Sequence, residues 1–391
     1  MPLIAQDPTP GAQKLAAACN AFARDLHGKI AASGRPTCSP ASVALALGML
    51  LRGARGATAD EIGEALHLPA DLRGEALDAA VQELLASLRA PTSSRKSTAA
   101  PQLQIADDLW VGRGVAIEPA YEKTIRGAFG GSVESVDFAT DAEAARARIN
   151  EHVARATNGR IRDLLSRDLV TADTRLVLTN ALWWKARWAH TFHDRATKDA
   201  PFTLADGTRV DVATMNQVDD FLYAESASWQ RLTMLFEDSW IACEILLPRP
   251  GKPLAEVEAA LFDAPPARPA SRRVRVALPR FRVEAGHDLK DALQALGIRT
   301  AFTANRADFS GITRDVPLVV DFVVHRTWIA VDEGGAEAAA ATAAGMTVGA
   351  RMPQDEPVEF TADRPFAFVL RDRRTGLVLF VARVTDPRPK A

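Results

Sequence analysis

The chain has 391 residues, 47% apolar and 25% charged, the balance of a soluble globular protein with a full core. A net charge of −2 gives no global attraction to nucleic acid or to an anionic membrane. Three cysteines, Cys19, Cys38 and Cys243, are too few and too scattered for a disulfide framework, and without a CxxC pair they carry no metal signature.

Taken in chain order, no leader is visible in residues 1–13, and no apolar run reaches the ~20 residues of a membrane span. The chain is therefore read either as cytoplasmic or as a secreted form whose leader has been removed. Residues 12–32 hold Leu15, Phe22 and Leu26 at helical spacing. A second helix follows Ser39-Pro40, a cap residue with proline at the first helical position, and runs to Gly53. Residues 58–68 open on Thr58 with Glu61 three positions on, which predicts a capping box. Residues 75–89 are a further amphipathic helix. Residues 103–112 and 175–184 are apolar runs with the look of buried strands, and 142–165 reads as a helix that ends in a turn at Gly159. Arg95-Lys96 lies in a polar stretch read as a solvated loop.

Beyond residue 200 the pattern changes to strands: 201–204, 209–215, 231–236, 240–247, 273–283, 317–331 and 366–384, with one helix at 288–296. Helices first and strands later, without regular βαβ alternation, predict an α+β fold. No internal repeat or linker divides the chain, so 1–391 is read as one domain. Cys38 and Cys243 lie among apolar residues and read as small buried hydrophobes. There is no GxSxG elbow, HExxH, phosphate loop or GxGxxG, and the seven histidines stand apart from any serine or cysteine motif. Nothing points to an enzyme, a metal or a cofactor.

Six stretches, in order, resemble the serpin family over about residues 15–387. They are Ser39-Pro40-Ala41-Ser42-Val43 with 53–62; Ile149-Asn150 with 157–165; Thr179-Asn180-Ala181-Leu182-Trp183-Trp184 through Trp188 to Phe192; Leu278-Pro279-Arg280-Phe281 with 288–312; His325-Arg326 with 331–341; and 360–366 with 379–387. The departures are small: Cys38 stands where an aromatic is usual, and Arg326 where lysine is common. The resemblance implies three β-sheets, eight or nine helices and a reactive-centre loop over about 333–358. It also implies inhibition by a suicide mechanism, in which a serine protease cleaves the loop, which then inserts into the largest sheet and traps the enzyme.

Residues 333–352 meet the steric demands of insertion. They carry no proline, which would remove a ladder hydrogen bond, and almost no bulk before Met346. In a strand Ala336, Ala338, Ala340 and Thr342 face one way and Glu337, Ala339 and Ala341 the other. The first set is small enough for a core, and Gly334 and Gly335 give the backbone freedom of a hinge. By resemblance Ser39, Ser42, Asn180 and His325 form the shutter under the sheet, and Glu333 pairs with Arg280 near Trp188, where insertion begins.

Two bait bonds remain open. Counting from Glu333 by the family's interval gives Gly349–Ala350; counting back from Phe360 gives Arg351–Met352. Arg351 suits the carboxylate of a trypsin-like pocket, at the cost of up to ~7 Å of slack from two extra residues. Cleavage after Val348 or Gly349 suits an elastase- or subtilisin-like enzyme. The implied partner is a serine protease, with a cysteine protease as a further candidate, and neither nucleic acid nor membrane. The alternative role is a non-inhibitory serpin acting as carrier or chaperone. No basic helix face suggests an activating polyanion, since 75–89 holds only Arg89 as a cation.

Overall fold

The computed structural model describes residues 7–31, 36–92, 100–167, 169–263, 270–336 and 356–388. Glu337, Ala338, Ala339, Ala340, Ala341 and Thr342 of the hinge lie outside the described residues, as do Val348, Gly349, Ala350, Arg351 and Met352 of the bait, and Arg95-Lys96.

Four helices open the chain: α1 (Pro10–Ala31), α2 (Pro40–Gly53), α3 (Gly56–Ala65) and α4 (Glu75–Arg89). Helix α2 is apolar almost all round and so is buried on every side, with only Arg52 partly exposed. Ser39 caps it, accepting from the Ser42 N–H at 3.4 Å, and Pro40 occupies the position where no N–H is needed. The capping box expected at Thr58 does not form. Helix α3 starts two residues earlier, at Gly56, behind Arg55, which makes no side-chain cap. The Thr58 hydroxyl instead accepts from the Asp308 N–H, and Glu61 accepts from the Arg299 and Thr300 N–H groups of a distant segment. The remaining helices are α5 (Pro119–Thr124), which runs into a π-turn over Ile125–Phe129, α6 (Ala142–Ala156), α7 (Leu254–Val257) and α8 (Lys290–Ala295). Among the described residues no helix is long and apolar enough to cross a membrane.

The strands are β1 (Gln102–Gly112), β2 (Ser132–Val136), β3 (Leu176–Arg187), β4 (Lys198–Thr203), β5 (Arg209–Glu225), β6 (Trp229–Leu235), β7 (Ile241–Pro248), β8 (Ala270–Pro279), β9 (Phe281–Asp288), β10 (Val320–Val331), β11 (Gly335–Ala336), β12 (Val358–Thr361), β13 (Phe366–Asp372) and β14 (Val378–Val384). The fold is α+β, with eight α-helices among the described residues and the strands gathered late in the chain.

A six-stranded sheet runs in the order β2-β1-β3-β11-β10-β9, and the other eight strands form a second hydrogen-bonded network. Two of the three expected sheets merge in that network because β5 is 17 residues long. Its first part pairs with β4 and its last four residues with β6, while β8 follows it through the bend. The single strand expected over 273–283 is divided between the two sheets. Pro279 has no N–H to continue a ladder, the Arg280 N–H makes the last bond to β5, at Ala213 O, and from Phe281 onward the chain pairs with β10 instead. The run 366–384 is a hairpin, turned by Asp372 and by Gly376 at φ 74°.

Strand β3 is buried on both faces, and so reads as a nearly continuous apolar run. Leu176, Leu178, Leu182 and Trp184 face the main core, while Val177, Ala181 and Trp183 pack with Ile149 and Val153 of α6. Beside β3 lies β10, parallel to it and paired with it directly from Leu176↔Val320 to Trp183↔Trp328. Above that point β11 separates them.

Candidate functional site

At the top of the six-stranded sheet the chain leaves β10 in a tight turn over 332–335. Asp332 N–H donates to Gly335 O at 3.0 Å, and the Asp332 carboxylate accepts from the Gly334 and Gly335 N–H groups. Gly335 has φ 152°, and a Cβ there would stand 2.0 Å from Ala186 O, so only glycine fits between the strands. Ala336 then pairs with Val331 of β10 on one side and Ala186 of β3 on the other, antiparallel to both, and is wholly buried.

Glu333, on the tip of this turn, is buried and points at a cation. Arg280 Nε donates to Glu333 Oε1 at 2.7 Å, and the Thr197 hydroxyl donates to the same oxygen. Burial pushes the Glu333 carboxyl up, but the Arg280 and Thr197 hydrogen bonds outweigh it and hold the group below the usual carboxylate range. Trp188 closes the corner. Its backbone N–H donates to Gly334 O and its indole N–H to Asp332 O, both at 2.9 Å, while its ring stacks on Phe236 at 4.5 Å.

Lower on the seam, under the β3–β10 pairing, a polar cluster crosses the apolar core. His325 of β10 lies opposite Asn180 of β3 in register. The Ser39 N–H donates to His325 Nε2 at 2.9 Å, which leaves Nδ1 to donate to Asn180 Oδ1. Burial, aided by His287 stacked 6.5 Å away, pushes His325 down to about 3, so its ring is neutral at neutral pH. The Asn180 amide donates to Ser42 Oγ and to Asp107 Oδ1, and the Ser39 hydroxyl donates to Leu379 O at 2.6 Å. Four side chains from α2, its cap, β3 and β10 thus meet in one buried network, satisfied as buried polar groups must be.

Sequence reasoning missed several members of these clusters. Asp107 is buried against Asn180, and burial together with the adjacent Asp108 pushes its carboxyl well above the usual range. The signal was present as two aspartates inside the apolar run of β1, an arrangement that costs free energy unless each finds a partner. Asp108 faces the other way and pairs with His152 of α6 at 3.1 Å, tying that helix to the sheet. Thr197 and Phe236 come from segments with no motif at all. All three cysteines are buried, and burial pushes the Cys19 and Cys38 thiols up to about 12, so neither offers a thiolate at neutral pH. Among the described residues no His, Cys, Asp and Glu groups cluster in a way that could hold a metal ion.

Comparison with known proteins agrees with this architecture. A family model described as Serpin (serine protease inhibitor) matches residues 17–387. An uncharacterized serpin-like protein of Thermococcus kodakarensis is 38% identical over 377 residues, 95% of this chain and 85% of the relative. The leukocyte elastase inhibitor of Bos taurus is 33% identical over 390 residues, covering 96% of this chain and all of the relative. The crystal structure of Serpin48 from the insect Tenebrio molitor superposes with a TM-score of 0.85 at 28% identity, covering 96% of this chain and 99% of that one. With this match over nearly its whole length, the chain belongs to the serpin family.

Proposed function

We propose that this chain inhibits serine proteases as a suicide substrate. The enzyme cleaves the loop beyond the hinge, and the freed strand slides down the β3–β10 seam while the protease is still covalently attached. The observation that carries this reading is the seating of Gly335–Ala336 as the first two residues of an antiparallel strand between two parallel ones. Completing that strand replaces one parallel ladder with two antiparallel ones, whose pairing is the more favourable per residue. The Arg280–Glu333 pair and Trp188 hold the entrance, and the cluster of Ser39, Ser42, Asn180 and His325 joins the two strands that must part.

Arg351–Met352 is the favoured bait bond, with a trypsin-like enzyme as target; Val348–Gly349 and Gly349–Ala350 suit an elastase- or subtilisin-like enzyme instead. The likeness to the Bos taurus elastase inhibitor lends weight to the second class. The test is incubation with trypsin, and separately with an elastase or subtilisin, followed by denaturing electrophoresis and mass analysis of the released C-terminal peptide. A complex stable in denaturant supports trapping, and a peptide beginning at Met352 or at Ala350 identifies the bond. Clean cleavage without a complex sinks the inhibitory reading and points to a non-inhibitory carrier or chaperone.

A further inference from the structure

Where α6 ends, the following turn lies over β9 and β10 and encloses a cleft of about 350 Å³ on the outer face of the six-stranded sheet. Its walls carry Arg160, Arg162 and Asp163 from the turn, Arg282 and Glu284 from β9, and Arg326 from β10. Among the residues that line the cleft, four guanidinium groups therefore meet two carboxylates, in a chain whose net charge is −2.

The guanidinium groups converge because the sheet places them so. Trp328 is opposite Glu284 in register, and Arg326 is opposite Gly286, whose missing side chain leaves room for the Arg326 stem to lie across β9. Arg160 and Arg282 both stand over the Trp328 ring, at 4.9 and 5.4 Å from its centroid. The ring attracts each cation but cannot offset the repulsion between them. Arg282 spends one donor on Glu284 at 3.0 Å, Arg162 spends its Nε on Gly159 O at 3.0 Å, and Arg160 is itself engaged in a further interaction. The Nε of Arg326 is buried with no hydrogen-bond partner among the described residues, a cost that natural structures seldom leave standing.

We propose that this cleft binds a phosphate-bearing anion with more than one phosphoryl group, of the polyphosphate class. Guanidinium forks match phosphate oxygens in pairs, and four of them around one recess suit a ligand that carries several such groups. A ligand held there joins the turn after α6 to β9 and β10. It does so beside Trp328, which with Trp183 forms the last directly joined pair before β11 parts the strands. Occupancy restrains the sheet at the point where the seam opens. The site follows from the resting structure and does not depend on whether the chain inhibits a protease.

The test is calorimetric titration of the whole chain with inorganic tripolyphosphate at low ionic strength, with melting temperature as a second readout. One site is expected, with a rise in melting temperature as ligand binds the folded state alone. Arg160→Ala, a change on the exposed turn, and Arg326→Gln should each weaken binding by about tenfold, the loss of one charge-assisted contact. Glu284→Gln removes a competing carboxylate and should tighten it. Sodium sulfate at matched ionic strength should not reproduce the melting shift. Absence of a binding heat, equal affinity in Arg160→Ala, or an equal shift with sulfate overturns the proposal. If Arg326→Gln does not fold, the Arg160 and Glu284 variants decide the matter alone.

Discussion

His325 and Asp107 sit on either side of Asn180, and folding biases the two in opposite directions: the histidine loses its proton and the aspartate keeps one. For His325, burial and His287 set a folded value of about 3, well below that of an unfolded histidine near ~6.5. Its contribution therefore falls as pH drops from ~6.5 towards about 3, because the unfolded chain takes up a proton that the native ring refuses. Asp107 has the reverse sign. Its folded carboxyl titrates well above the ordinary ~3.9, so its contribution falls as pH rises from there, when only the unfolded chain releases the proton. As pH rises above ~4 the two slopes therefore have opposite signs. Asp107→Asn keeps the shape of the protonated acid and removes one slope. Relative to the parent, the stability of the variant should then climb as pH rises above ~4, by up to about 1.4 kcal/mol per unit. Denaturant midpoints at pH 4.5 and 6.5 measure this, and parallel behaviour of parent and variant would show that Asp107 is ionised in the folded chain.

At the scale of elements, much was legible in the sequence because periodicity and burial coincide there. Helices α1, α2 and α4 and strands β1, β3 and β10 fall where the apolar spacing puts them, since each buries a face or a whole surface. Helix α5 with its π-turn and the strands β2 and β12 were not legible: they are short and their burial is patchy. The split of 273–283 was written in Pro279, but only the sheet partners of β8 and β9 give that proline its meaning. In the candidate site, resemblance alone gathered Ser39, Ser42, Asn180 and His325, since nothing local relates residues so far apart. Asp107 was overlooked because a strand's polar residues announce a partner without naming it. The Thr58–Glu61 spacing was a true signal attached to the wrong helix end. Glu61 accepts from Arg299 N at 2.8 Å, Thr300 N at 2.6 Å and Thr300 Oγ1 at 2.5 Å, so it caps the short 3₁₀ turn Thr300–Phe302 and pins it to α3. Glu61→Ala should cost about 1 kcal/mol, the usual worth of a lost cap. Amide exchange should accelerate at Arg299 and Thr300; acceleration confined to the first turn of α3 would restore the capping-box reading.

At the scale of the whole molecule, the register already begun by β11 says what a completed insertion requires of each residue. Ala336 pairs with Ala186 of β3 and Val331 of β10, so residue n continues opposite 522 − n on β3 and 667 − n on β10. Residue 342 then falls opposite both Asn180 and His325, two residues that are themselves paired across the closed seam. A completed strand would reach Leu176, the foot of β3, at residue 346, which is the first bulky side chain of the loop, Met346. On such an insertion, residues 338 and 340 would fall opposite Trp184 and Leu182 and face the core, while 339 and 341 would fall opposite Trp183 and Ala181 beneath α6. A strand inserted there would need small side chains on both faces, because both faces of the seam are covered, and the alanine tract meets that need. Glu337 would fall opposite Lys185 of β3 on the outer face, and residue 341 opposite Arg326 of β10. Under this register Ala340→Arg drives a guanidinium into the core between Leu182 and Thr327, an unpaired buried charge costing several kcal/mol. The variant should be cleaved by the same protease at an undiminished rate but form no complex stable in denaturant. The cleaved parent should melt well above the intact chain, because two antiparallel ladders replace one parallel one, and the cleaved variant should not. Glu337→Arg, with its side chain outward, should retain trapping and distinguish a packing block from a general intolerance of charge in the loop. Equal trapping by Ala340→Arg would mean that the strand does not travel as far as residue 340, and the seam would then have some other use.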